Sequence, residues 1–279
     1  MIIGVIGAGT MGSGIAQTFA SKEGYDVVLT DIKQEFADGG KAKIVKGLNK
    51  RVAKGKMEQA AADVIANRIT TGLQDALTDC DLIIEAAIEN VGIKKQVFAH
   101  LQEICKPECI FATNTSSLSV TEISQGLDRA VIGMHFFNPV PVMKLVEVIA
   151  GYNTTDETIA KIKAIAEDIG KVPVEVKEAP GFVVNRILIP MINEAAYVLS
   201  EGTASPEDID TAMKLGCNHP MGPLALGDLI GLDVVLAIME VLYNETGLDK
   251  YAVAPLIRKM VRGGALGRKT GKGFFDYSK

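Results

Sequence analysis

Two residues with acid–base chemistry, His135 and Glu147, stand inside the apolar segment GMHFFNPVPVMKLVEVI at positions 133–149. Burying an unpaired polar or charged group costs several kcal/mol, so neither residue belongs in a buried strand without a partner. They lie twelve positions apart, and Pro141 is midway between them. A hairpin folded back at Pro141 makes them cross-strand neighbours. An imidazole held by a carboxylate is the usual core of a general base, a group that moves a proton to or from a reacting oxygen. The other two histidines fit that work less well. His100 falls on a charged helix and is expected in solvent; His219 falls in a Pro/Gly turn and is expected to be structural.

A second set of residues could hold a cofactor. Gly7, Ala8, Gly9, Thr10, Met11 and Gly12 follow an apolar strand and open a helix, and the next strand ends at Asp31, 19 residues after Gly12. Each part of this pattern has a physical task. Gly7 permits a tight turn, Gly9 lets the backbone approach a pyrophosphate, and Gly12 lets helix and strand pack closely. The start of the helix then offers N–H groups and positive potential to phosphates. Asp31 is expected to accept from the ribose hydroxyls of an adenosine and to repel a 2′-phosphate, which favours NAD over NADP. Lys33, close by, weakens that preference.

A third set is basic. Residues 41–56 hold Lys41, Lys43, Lys46, Lys50, Arg51, Lys54 and Lys56 and no acidic residue, in a chain whose net charge is −5. Lys43, Lys46, Lys50 and Lys54 fall on one helix face at spacings of three and four. On spacing alone this fits either a solvated face or one that binds an anion.

The elements that must position these residues divide the chain in two. Residues 2–6, 27–30, 82–87, 110–113 and 131–137 are short and apolar, with longer amphipathic segments between them. Such alternation predicts a mostly parallel sheet, a Rossmann-like doubly wound α/β fold, with a helical hairpin inserted after the second strand. Residues 144–149 and 172–176 read as further strands, with a helix opening at Thr154-Thr155-Asp156-Glu157 and stopping at Gly170. Beyond Pro180-Gly181 almost no strand signal remains. Residues 182–199 are apolar nearly all round, which marks a helix buried in a core or an interface, and Pro190 is expected to kink it. Ser205-Pro206-Glu207-Asp208 is a helix start. Pro220-Met221-Gly222-Pro223 reads as a breaker cluster, and residues 231–243 and 251–261 as helices. The expected domains are therefore 1–181, binding NAD, and 182–279, all-helical and completed by another subunit.

The motifs GAGTMG, Ile88-Glu89-Asn90, Asn114-Thr115-Ser116-Ser117, HFFNPVPVMKLVEVI, Pro180-Gly181-Phe182-Val183-Val184-Asn185-Arg186 and the terminal Gly267-Arg268-Lys269-Thr270-Gly271-Lys272-Gly273-Phe274 together resemble the L-3-hydroxyacyl-CoA dehydrogenases, the bacterial 3-hydroxybutyryl-CoA type most closely. The resemblance covers essentially the whole chain. It implies NAD-dependent interconversion of acetoacetyl-CoA and (S)-3-hydroxybutyryl-CoA in short-chain fatty acid (butyrate-type) metabolism. His135 is then the general acid/base and Glu147 its orienter. By the same resemblance Ser116 bonds the substrate's 3-oxygen, and Asn185 contacts His135 or the reacting oxygen. Asn138 faces the nicotinamide, Glu89 binds its ribose, and Lys94, Asn114 and Lys269 reach the cofactor. The Gly-rich tail that carries Lys269 reads otherwise as a mobile loop. Lys50 and Lys54 become the contacts to coenzyme A, whose phosphates suit a lysine face.

Composition excludes other classes. The net negative charge argues against a nucleic-acid binder. No stretch reads as the continuous apolar helix of about 20 residues that a bilayer needs, so no membrane span is expected. Cys80, Cys105, Cys109 and Cys217 have no metal-ligand spacing and are expected to be reduced structural thiols. The chain opens at once with a strand too short for a signal core. A cytoplasmic protein is expected, and the apolar helix at 182–199 with its neighbours is expected to make a homodimer interface. Against a free sugar-acid dehydrogenase stands the basic stretch. Against the 3-hydroxyisobutyrate type, which uses a catalytic lysine, stands the His135/Glu147 pair. A crystallin-like structural protein would not need His135, Glu147, Ser116 and Asn185 together.

Overall fold

Eight strands form one sheet in the computed structural model, which describes residues 1–278. They are β1 (Ile2–Ile6), β2 (Asp26–Thr30), β3 (Ile69–Gly72), β4 (Leu82–Glu85), β5 (Ile110–Thr113), β6 (Val131–Phe136), β7 (Leu145–Ala150) and β8 (Val172–Lys177). Their order is β3-β2-β1-β4-β5-β6-β7-β8. β1 to β6 run parallel, β7 turns back antiparallel to β6, and β8 runs parallel to β7. The order reverses direction between β1 and β4, which creates a crevice at the carboxyl ends of those strands, where ligands of open α/β sheets bind.

The flanking helices are α1 (Thr10–Ala20), α2 (Gln34–Ala53), α3 (Gln59–Asn67), α4 (Val91–Ile104), the one-turn α5 (Val120–Ile123) and α6 (Asp156–Asp168). α2 and α3 form the inserted hairpin. They enter the core through Ile44, Leu48, Ala62 and Ile65, which join Ile3, Val5, Phe19 and Leu29 of the sheet and α1. Inner strands such as β4 are buried along their whole length, as a sheet covered on both faces requires.

Contacts divide the chain into two compact units, Met1–Ala179 and Pro180–Lys279. The second contains α7 (Val184–Ser200), α8 (Pro206–Gly216), α9 (Pro223–Ile230), α10 (Leu232–Thr246) and α11 (Pro255–Arg262). Its core sets Ile189, Ile192 and Ala196 of α7 against Val235, Met239 and Leu242 of α10. α7 is not buried on every side within the chain: Ile187 is 69% exposed. No helix among the described residues is long and apolar enough to cross a membrane.

Three local expectations change. β3 was not expected, because ITTG is short, half threonine and at the sheet edge. The Pro220–Pro223 cluster does not only break structure. Pro223 is the first residue of α9, where its missing N–H costs nothing, and the buried Asp210 carboxylate accepts from Leu224 N (2.8 Å) and Ala225 N (2.9 Å) at that helix start. The Gly-rich tail is not a loose loop. Asp228 is 1% exposed and accepts from the backbone N–H of Phe274 (2.9 Å) and Phe275 (3.0 Å) and from the Tyr277 hydroxyl (3.1 Å). Burial pushes the Asp228 carboxyl up, and these donors offset part of that rise. The tail also packs its backbone close: a Cβ on Gly273 would lie 1.9 Å from an Asp228 oxygen.

Candidate active site

The carboxyl edge of β1, β2, β4, β5 and β6 collects most of the residues singled out in the sequence. Register brings Ile6 beside Thr30 and Glu85, and Glu85 beside Thr113. The chain therefore leaves the sheet at Gly7, Asp31, Ala86, Asn114 and Phe137 on the same edge.

The glycine loop is built for close approach. Gly7 has φ +94°, a conformation L side chains rarely adopt. A Cβ on Gly12 would lie 1.7 Å from the Gly7 carbonyl oxygen, so helix and turn touch there with no room for a side chain. Gly9 is the opposite case: a Cβ there meets nothing within 4 Å. Gly9 is also the N-cap of α1, and no side chain caps it. Open space over an uncapped helix start is what a pyrophosphate fills. Asp31 braces the loop, its Oδ2 accepting from Ala8 N at 2.7 Å. Lys33 ion-pairs with Glu35 at 3.6 Å. These residues fit NAD: the turn, the free helix start and the carboxylate stand where a dinucleotide's phosphates and ribose need them.

His135 and Glu147 face each other as the spacing required. The register pairs them directly, and His135 Nδ1 lies 2.8 Å from Glu147 Oε2. Both are buried, at 6% and 1% exposure. A carboxylate on Nδ1 places a proton on that nitrogen and makes Nε2 the nitrogen that exchanges protons. The ring also packs on Phe137, with centroids 4.5 Å apart. The turn between the two strands begins with a cis bond at Asn138-Pro139. A cleft of about 290 Å³ runs from Gly9, Thr10 and Ser13 to Asn138, with Lys43 on its wall.

Between β4 and β5 a dense polar cluster forms. Glu89 Oε1 accepts from the Thr115 hydroxyl (2.6 Å), Ser116 N (2.8 Å) and the Ser116 hydroxyl (3.2 Å). Burial alone would raise the Glu89 carboxyl; the Lys94 ammonium, the Thr115 hydroxyl and the Ser116 amide outweigh it and hold it below the ordinary carboxylate range. Lys94 is 1% exposed and lies against Glu85 and Glu89. Asn114 accepts from Phe136 N at 2.8 Å, tying β5 to the residue after His135. Glu85 escaped the sequence reading. Its signal is a glutamate inside the apolar run 82–87, four residues before Glu89 and nine before Lys94.

Lys50 is exposed on the last turn of α2, and Lys54 is exposed just past its end, as the C-cap. In the second unit, Asn185 is buried on the first turn of α7. Lys269 ion-pairs with Asp233 at the start of α10. His100 lies 3.1 Å from Asp75 on the surface. The four cysteines carry no disulfide.

A helix start ready for phosphates and a buried imidazole–carboxylate pair on one sheet edge are what an enzyme needs to draw a proton and a hydride from an alcohol, and they place the chain among NAD-dependent oxidoreductases. Comparison with known proteins narrows the class. Residues 2–179 match the 3-hydroxyacyl-CoA dehydrogenase NAD binding domain, and residues 181–277 match the 3-hydroxyacyl-CoA dehydrogenase C-terminal domain. The chain is 58% identical over 282 residues to the 3-hydroxybutyryl-CoA dehydrogenase of Clostridioides difficile, covering 100% of both. It is 55% identical to a probable 3-hydroxybutyryl-CoA dehydrogenase of Deinococcus radiodurans, covering 99% of this chain and 100% of that one. The crystal structure of (S)-3-hydroxybutyryl-CoA dehydrogenase PaaH1 from Ralstonia eutropha superposes with a TM-score of 0.95 at 50% identity, over 100% of this chain and 99% of that chain. The chain belongs to the 3-hydroxyacyl-CoA dehydrogenase family.

Proposed function

We propose that this enzyme interconverts acetoacetyl-CoA and (S)-3-hydroxybutyryl-CoA with NAD(H), as a cytoplasmic homodimer in short-chain fatty acid metabolism. The observation that carries the reading is the buried His135–Glu147 pair, 2.8 Å apart, on the sheet edge that also holds the glycine loop. The names of the relatives supply the substrate.

The residues divide the work. His135 Nε2 takes the proton of the 3-hydroxyl in the oxidising direction and returns it to the 3-oxygen in the reducing direction. Glu147 keeps the ring oriented and stabilises its protonated form. Ser116, whose backbone N–H is held by Glu89, turns its hydroxyl from Glu89 to donate to the 3-oxygen of bound substrate. Asn185 serves the same oxygen or the imidazole, by the family resemblance alone. Bound NAD supplies the two-electron hydride chemistry. Glu89, Lys94, Asn114, Asn138 and Lys269 serve its nicotinamide half, and residues 7–12 with Asp31 its adenosine half. The Asp31 carboxylate favours NAD over NADP, and the pairing of Lys33 with Glu35 supports that preference.

The direct test is NADH oxidation with acetoacetyl-CoA and chiral analysis of the product. The reading requires (S)-3-hydroxybutyryl-CoA; no turnover, or the (R) product, contradicts it.

The lysine face gives a separate prediction. Lys50 and Lys54 are exposed cations on the hairpin. Lys50→Ala with Lys54→Ala is expected to raise KM for acetoacetyl-CoA about tenfold, since each charge-assisted phosphate contact is strong, and to leave NADH affinity within about twofold. An unchanged KM would mean that the face is only solvated.

A further inference from the structure

The geometry points to Glu85 as a positioning residue for the cofactor: it anchors the Lys94 ammonium and so keeps the Glu89 carboxylate able to accept from a sugar hydroxyl. Glu85 is fully buried at the end of β4. Its two oxygens are filled by four donor contacts. Oε1 accepts from Lys94 Nζ (2.7 Å) and Ala87 N (2.7 Å); Oε2 accepts from Lys94 Nζ (2.9 Å) and the Thr113 hydroxyl (2.6 Å). A buried carboxylate is stable only when satisfied in this way, and breaking one half of such a pair is costly.

The consequence lies one contact further out. Lys94 Nζ is 3.4 Å from Glu89 Oε2, beyond the 2.7–2.9 Å range of a good charge-assisted hydrogen bond. Glu89 Oε1 is already held by Thr115 and Ser116. Oε2 is therefore the oxygen left to a ligand. Glu85 draws the ammonium away from it while leaving enough positive potential nearby to keep Glu89 ionised. Thr113 extends the link: its oxygen also accepts from Thr115 N at 3.3 Å, and Thr115 in turn bonds Glu89. Replacing Glu85 by a neutral amide releases the ammonium to close on Glu89 Oε2, which takes part of that oxygen's accepting capacity and makes it a poorer acceptor for a sugar hydroxyl.

The inference rests on the reading of Glu89 as the acceptor for the nicotinamide ribose. The test titrates NADH and ADP separately into the full-length chain, because ADP lacks that ribose. Glu85→Gln is expected to weaken NADH about tenfold, the scale of one hydrogen bond to a charged group, with ADP affinity and the KM for acetoacetyl-CoA within about twofold. A general loss of structure would weaken NADH and ADP together, and that result, like unchanged NADH affinity, overturns the inference. Should Glu85→Gln fail to fold, Thr113→Val decides: NADH weakened about threefold or more with ADP unchanged supports it, since the hydroxyl that donates to the Glu85 carboxylate is lost, and unchanged NADH overturns it. Glu89→Gln separates the two levels. If it spares NADH affinity, the ribose reading falls and the inference with it. If it weakens NADH while Glu85→Gln does not, the inference alone falls.

Discussion

His135→Gln lowers kcat by about 10²–10⁴, the usual contribution of a positioned general base, and leaves NADH affinity within about twofold. The amide keeps the shape of the side chain and can still donate toward Glu147. It cannot carry a proton at neutral pH, so the variant separates chemistry from architecture. The substitution leaves the glycine loop untouched, because the cross-strand pair belongs to β6 and β7 and the loop to β1 and α1. The pair is buried, and in the proposed mechanism Glu147 is the group that keeps the ring oriented while it exchanges the proton. A loss in kcat below about tenfold would remove His135 from the role of base.

Gly12→Ala abolishes useful cofactor binding. The added methyl would stand 1.7 Å from the Gly7 carbonyl oxygen and 2.9 Å from its carbon, and both partners are backbone. Backbone cannot swing aside as a flexible side chain can, so the turn at Gly7 must open. Overpacking of this kind costs about 1–3 kcal/mol in stability, and the displaced loop also loses its N–H groups from the phosphates. NADH affinity is expected to fall about a hundredfold or more, with a lowered Tm. Gly9→Ala provides the contrast. Its methyl meets nothing in the protein, so Tm should hold while NADH affinity falls. Equal NADH affinity in both variants and the parent would show that the loop does not hold the dinucleotide.

Features that rest on short-range pattern were legible in the chain. The strand–glycine loop–helix unit announces itself within residues 2–20, because each glycine answers a local steric demand. The His135–Glu147 register was readable because a hairpin with a known turn fixes its own pairing. Features that depend on distant partners were not. Glu85 stands inside the apolar run 82–87, and its partners Lys94 and Thr113 lie nine and 28 positions away, with no local spacing that pairs them. Asp228 is one acidic residue in the apolar run 224–232, a pattern that gives it no role, yet it holds a tail 46 positions further on. β3 has too few apolar residues to show a period, and only its pairing with β2 makes it a strand. The tail illustrates the physical limit: glycine content signals freedom in the unfolded chain, while two buried carboxylate oxygens decide whether that freedom is used.

One comparison bears most directly on the whole account: kcat/KM for acetoacetyl-CoA against free acetoacetate, with NADH as reductant. The coenzyme A portion is remote from the reacting carbon, and binding energy from remote groups lowers the barrier only if the enzyme grips them. The thioester is expected to be favoured by at least about a hundredfold. Comparable efficiency on the free acid would contradict the assignment of a coenzyme A thioester as substrate.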